Sequence, residues 1–269
     1  MAAAGISGHG RAELARVVGR GRSLVSVSDV VEVLDLDRGS AARRLARWAA
    51  QGWLRRVRRD LYVPVPVDAE RPEAWGADPL FLADAVWVPC YFTGWTSANH
   101  WGLTDQVFRS TVVKTAARVR SSNQQLLDND YVVTHTSVSS LEWGLRREWL
   151  QNRRIAWADP ARTVIDVLDD PRLAGGIRSA AEFLNVYVQE HEAQTLIGYG
   201  DTLGNRTVFK RLGLLVEGLG IGDHDLIEAC LERLSQGYPL LDPTRQRQGM
   251  RSRRWKLIVN AVIEPVEPA

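Results

Sequence analysis

Arginines carry the clearest chemical signature in this 269-residue sequence. Arg43, Arg44 and Arg47 fall close together in SAARRLARWAAQGW, and Arg56, Arg58 and Arg59 follow in the next segment, LRRVRRDLYV. A guanidinium fork pairs bidentately with a phosphate or with the edge of guanine. These charges share one sign, so on a helix they repel and gain nothing from i,i+4 pairing. A solvated face is the plainer reading of a charged helix. Exclusive use of Arg and a second basic segment close behind favour DNA instead. The candidate DNA-binding residues are Arg38, Ser40, Arg43, Arg44, Arg47, Gln51, Arg56, Arg58 and Arg59. A second basic run, RQRQGMRSRRWKLIVN, carries Arg245, Arg247, Arg251, Arg253, Arg254 and Lys256 and no acid. It reads either as a charged surface hairpin or as a second contact to DNA or to a partner.

Catalytic chemistry finds little support. HEAQT begins at His191 and Glu192, but a zincin needs a second His where Thr195 stands. None of Lys114, Lys210 and Lys256 closes the Asp/Glu-x-Lys triplet of a nuclease core. Gly198-Tyr199-Gly200 and Gly218-Leu219-Gly220 lack the third glycine of a phosphate loop and read as caps and turns. His100 and His135 have the chemistry of general bases but read as structural. Cys90 and Cys230 lie far apart in apolar surroundings and read as free thiols. The expectation is a protein that is not an enzyme, with no catalytic residue, no cofactor and no metal.

The elements that must present the arginines are legible around them. Arg11–Val18 reads as a first helix after a disordered, glycine-rich start over residues 1–10. Ser26 with Asp29 three residues on forms a capping box ahead of VVEVL, which opens a second helix. DLDRGS is the turn, and Ser40 caps a third helix over Ala41–Gln51. At 100° per residue Ala41, Leu45, Trp48 and Ala49 share one face. Arg43, Arg47 and Ala50 fall opposite, flanked by Arg44 and Gln51. Gly52 ends the helix, and Trp53–Val57 and Leu61–Val65 make a hairpin tipped by Arg58, Arg59 and Asp60. Three helices followed by a basic hairpin make a winged helix-turn-helix over residues 1–66, with one helix in a DNA groove and the hairpin on the backbone.

Charge agrees with that division. Residues 1–60 hold 12 Arg, no Lys and 6 Asp or Glu, while the remainder holds 22 basic and 26 acidic residues. A polyanion partner is therefore expected for the first part only. Residues 67–78, rich in Pro and charge, read as a linker. Residues 79–269 read as a larger domain, with strands at Val86–Thr93, Ser110–Val119, Tyr131–His135, Arg154–Ala158 and Trp255–Ile263. Its helices are expected at Thr96–Trp101, Ala161–Leu168, Ile177–Glu190, Arg206–Leu219 and Leu226–Ser235. Strands and helices do not alternate strictly, so the fold class is α+β. Most of the 10 tryptophans should lie in cores. No apolar run is long enough to span a bilayer and the start is not that of a signal peptide, so a cytoplasmic location is expected, with no membrane partner.

Four stretches of the second part resemble the AbiEi-type antitoxins of bacterial toxin–antitoxin and abortive-infection systems. They are YFTGWTSANHWGLTDQ, DPARTVIDVLDDPRLAGG, GNRTVFKRLGLLVEGLG and LDPTRQRQGMRSRRWKLIVN, in that order from Tyr91 to Asn260. Many family members carry Glu before the Arg of the second stretch, where this chain has Ala161. The resemblance implies an autoregulatory antitoxin. Its winged helix would repress its own operon at inverted repeats, and its C-terminal domain would counter a nucleotidyltransferase-like toxin directly or indirectly. The alternative is a stand-alone transcriptional regulator whose second domain senses a ligand.

Overall fold

A computed structural model describes residues 7–19, 23–66, 78–150 and 153–263. The chain mixes α and β elements and divides into two compact units. One comprises Met1–Val86 with Gln124–Asp130, the other Trp87–Asn123 with Tyr131–Ala269. The expected linker, apart from Asp78, lies outside the described residues, as do residues 1–6.

In the first unit, helix α1 (Gly8–Val18) begins earlier than expected, because the Ser7 hydroxyl accepts from the Gly10 amide and caps it. Strand β1 (Val25–Ser26) leads into α2 (Val27–Leu34), and the expected Ser26–Asp29 capping box is present. Helix α3 spans Arg38–Ala50. Strands β2 (Leu54–Arg58) and β3 (Leu61–Pro64) are antiparallel, as are β1 and β3, and the sheet order is β1-β3-β2. Asp60, with φ 63°, turns the β2–β3 hairpin. Val17, Val25, Val30, Leu45, Trp48 and Leu54 form the core. Helix α4 (Pro79–Trp87) groups with this unit through Val86, whereas Pro79 was expected to open the second domain.

The second unit is built on strands β4 (Cys90–Phe92), β5 (Ser110–Thr115), β7 (Asn129–His135), β8 (Leu145–Leu150) and β9 (Arg153–Ala158). Within the unit the strand order is β7-β5-β4-β9-β8, while β6 (Asn123–Leu126), apart from Asn123, belongs to the stretch that groups with the first unit. β4 runs antiparallel to β5 and parallel to β9, and β8 and β9 are antiparallel. The expected strand from Val86 to Thr93 shrinks to β4. Val86 and Trp87 end α4 instead, and Pro89 has no N–H to give to a ladder. Helices α5 (Gly94–His100), α6 (Pro160–Asp169), α7 (Ile177–Glu190), α8 (Thr195–Leu203), α9 (Thr207–Leu219) and α10 (His224–Glu232) follow. Every residue of α6 from Pro160 to Leu168 is buried, so this helix is the centre of the unit. A last hairpin, β10 (Met250–Ser252) and β11 (Leu257–Val259), closes the chain, so Trp255 lies in a turn and not in the strand expected there. No helix among the described residues is long and apolar enough to cross a membrane.

Candidate nucleic-acid interface

The cap of α3 is Asp37 and not Ser40. Asp37 Oδ1 accepts from the Ser40 amide at 2.9 Å, which starts the helix at Arg38 and places Ser40 in its first turn. Hydrogen bonds from Ser40 hold the Asp37 carboxyl below its ordinary value. The inward face is as expected, with Ala41, Leu45 and Trp48 buried. Arg43 and Arg47 are exposed on the other side, between Ala46 and Ala50. Arg43 Nη2 donates to Ser40 Oγ at 2.9 Å, while Arg47 has no ion-pair partner among the described residues.

Two residues expected on that face are elsewhere. Arg44 is half-buried, ion-paired with Glu13 of α1 and lying 5.9 Å over the Trp48 ring, so its charge serves helix packing. Gln51 is half-buried at the end of α3, and its Oε1 is sealed from solvent without a hydrogen-bond partner.

The hairpin divides in the same way. Arg56 and Arg59 are exposed and have no carboxylate partner among the described residues; Arg56 Nε reaches only the Arg58 carbonyl, at 3.4 Å. Arg58 is exposed too, yet its guanidinium donates to the carbonyls of Val86 at 3.0 Å and Ala85 at 3.4 Å, at the C-terminal end of α4. Arg38 Nη2 bonds Asp60 Oδ2 at 2.7 Å, which puts the start of α3 beside the hairpin turn. That pair is exposed and contributes little to stability. Arg47 on α3 and Arg56 and Arg59 on the hairpin are thus left without a carboxylate among the described residues, and Arg43 lies near Asp37 without closing an ion pair.

The C-terminal basic run does form a hairpin. Arg254 is taken by Glu217 at 2.8 Å, and Lys256 is half-buried in the turn with φ 48°. Trp255 is buried against α9 and donates to Glu217 Oε2 at 2.6 Å. It fits because residue 213 is glycine, where a Cβ would come within 2.0 Å of the indole ring. Arg251 lies 4.7 Å over the Tyr238 ring, Arg245 reaches Asp242 only at 3.7 Å, and Arg247 and Arg253 are exposed.

A cluster in α6 was not anticipated. The fully buried Asp166 accepts from Lys114 at 2.9 Å, Arg162 at 3.1 Å, Tyr91 at 3.0 Å and Thr93 at 2.7 Å. Burial pushes its carboxyl up, but Lys114 and Arg162 outweigh that and hold it below the ordinary value. Arg162 also donates to Tyr91 at 3.0 Å and stacks 3.3 Å from the Trp143 ring, with Nη1 left without a hydrogen-bond acceptor. A Lys and an Asp do meet here, although no triplet in the sequence joins them. All five side chains are buried, so the cluster ties β4, β5 and α6 together and offers no surface to a substrate. The only trace in the sequence is Arg162 and Asp166 at i,i+4 in an otherwise apolar helix.

The four stretches that carry the family resemblance interlock. Tyr91 and Thr93 of the first bind Asp166 of the second. Arg211 of the third donates to the carbonyls of Leu168 and Asp169, capping α6, and to those of Leu240 and Leu241 at the start of the fourth. Asp242 of the fourth accepts from the amide of Ile177 at 3.1 Å at the start of α7, and Asn260 Nδ2 donates to the Asp242 carbonyl at 2.8 Å. His100 is structural in the same sense, stacking on Trp157 at 3.9 Å and pairing with Glu148 at 2.9 Å, whereas His135 is exposed at the end of β7. No cluster of three or more His, Cys, Asp or Glu able to hold a metal occurs among the described residues.

Comparison with known proteins bears on the fold alone. No protein-family model matches the chain. No curated protein matches it in sequence. Among solved structures it is similar to the crystal structure of the RV2827C protein from Mycobacterium tuberculosis, with a TM-score of 0.63 and 13% identity, over 96% of this chain and 93% of that one.

Proposed function

We propose that this protein is a DNA-binding antitoxin that represses its own operon, its first unit a winged helix-turn-helix and its second the part that counters a nucleotidyltransferase-like toxin. The observation that carries the DNA-binding half is the free charge on one helix and its neighbouring hairpin. Arg43 and Arg47 suit base edges or phosphates in a groove, and Arg56 and Arg59 suit the adjoining backbone. The element order α1-β1-α2-α3-β2-β3, with the sheet β1-β3-β2, supports the winged-helix reading. The antitoxin half rests on the resemblance of the four stretches, which form one connected scaffold.

The test has two arms. Replacing Arg43 and Arg47 together by Ala should abolish the shift of a promoter fragment and leave the melting temperature unchanged, and the wild-type shift should weaken as salt rises. Wild-type promoter binding by that variant would refute the assignment of α3. Co-expression with the adjacent gene product should rescue growth, and failure of rescue would refute the antitoxin half. A ligand-sensing regulator is the second reading, favoured by a groove of about 730 Å³ beside the last hairpin. A neighbouring nucleotidyltransferase-type gene is expected only for the antitoxin.

A further inference from the structure

The groove lies between α9 and the β10–β11 hairpin. Its walls are apolar, formed by Leu214, Trp255, Val259 and Ile263, and Met250 and Val262 open onto it. Those two are 81% and 74% exposed, side by side in lining one concavity. Its rim is basic, with Arg245 and Arg251. Among the described lining residues the single acid is Glu217, and both its oxygens are occupied, one by Arg254 and the other by Trp255. An apolar trough with Arg251 exposed over Tyr238 at its edge, and Arg245 held only at 3.7 Å from Asp242, is complementary to a chain segment that is apolar on one side and acidic on the other. Nucleic acid would use the charge but leave Met250 and Val262 facing water.

We infer that the groove between α9 and the last hairpin is a docking site for an acidic, apolar-anchored peptide segment of a partner protein. It goes beyond the DNA-binding reading and stands without it, because every residue invoked belongs to the second unit. Volume and lining match a short peptide, with one or two large apolar side chains in the trough and carboxylates over Arg245 and Arg251.

Gly218 makes a clean test possible. It lines the groove, and a Cβ there meets nothing within 4 Å, so a large side chain enters open space and not the core. The probes are a fluorescein-labelled peptide of alternating Glu and Leu, the same peptide with Lys for Glu, and a labelled duplex oligonucleotide, each titrated by anisotropy into the full-length protein. The Glu–Leu peptide should bind and the Lys–Leu peptide should not. Gly218→Trp should weaken Glu–Leu binding roughly tenfold or more while leaving the oligonucleotide signal unchanged. Met250→Ser with Val262→Ser, both on exposed positions, should weaken it too, which keeps the test sound if Gly218→Trp melts early. Equal binding of the Glu–Leu peptide by wild type and both groove variants would overturn the inference. So would displacement of that peptide by the oligonucleotide, or loss on Arg245→Glu with Arg251→Glu but not on filling the groove.

Discussion

Replacing Asp166 by Asn tests whether the buried cluster holds the second unit together. The carboxylate is fully buried and receives four hydrogen bonds, two from cations. An amide of the same shape can turn its oxygen to Lys114 and Arg162, but its NH2 then faces the hydroxyls of Tyr91 and Thr93, which lose their acceptor. Two buried cations also lose their counter-charge. Breaking one side of a buried ion pair typically costs about 3–5 kcal/mol. For a unit of this size each kcal/mol lowers the midpoint by about 2–4 °C, so Asp166→Asn should lower it by roughly 6–20 °C. Adding Lys114→Met should recover part of the loss, because it removes one of the uncompensated cations. Differential scanning calorimetry on the wild type, the two single variants and the double variant reads both effects. A midpoint for Asp166→Asn within about 2 °C of wild type, with no recovery in the double variant, would refute the reasoning.

The other expectations are shorter. The Asp166 carboxyl is held below its ordinary value in the folded state, so its contribution is present above the unfolded carboxylate range and is lost as pH falls through the folded value. Stability measured below about pH 4 should therefore fall more steeply for wild type than for Asp166→Asn. Arg211→Met strips the guanidinium from four carbonyls, and urea titration should show a loss of about 2–5 kcal/mol, each carbonyl left dry adding to it. Gly213→Ala places a Cβ within 2.0 Å of the Trp255 ring, and overpacking should cost about 1–3 kcal/mol and change the tryptophan emission.

Local signals were the legible ones. The Ser26–Asp29 box depends on neighbours three residues apart and stands where the sequence puts it, and Asp159 before Pro160 and Asp223 before α10 are caps of the same local kind. The same locality explains a miss. Asp37 and Ser40 both suit a cap, and Asp37 takes the Ser40 amide, which starts the helix at Arg38 and leaves Ser40 inside its first turn. Strand β8, LRREWL, is an edge strand whose side chains are mostly exposed, so it shows no apolar alternation. Helix α8 contains Gly198 and Gly200, which mask its periodicity, and Gly200 is there because a Cβ would come within 2.7 Å of the Phe209 ring. The arginines were legible as a set but not singly. Arg44 and Arg58 find Glu13 and the end of α4 only once the chain has folded. The Asp166 cluster joins residues 52 to 75 positions apart, a distance over which spacing carries no information.

The grip of Arg211 on both α6 and the segment at Leu240 has a consequence for synthesis. The apolar cluster around α3 is assembled from residues between Val17 and Tyr62, so its contacts can form as soon as that short piece leaves the ribosome. The core of the second unit cannot. Its central helix is capped by Arg211, α7 is capped by Asp242, and Trp255 and Leu257 belong to the same core as Val164. Until the chain through Asn260 has emerged, α6 lacks part of its covering while carrying charged side chains meant for a dry interior. A growing polypeptide therefore has its arginine helix in place long before the rest of the molecule is finished. Stalling or early termination between the two points would release a folded N-terminal module attached to an open, sticky body.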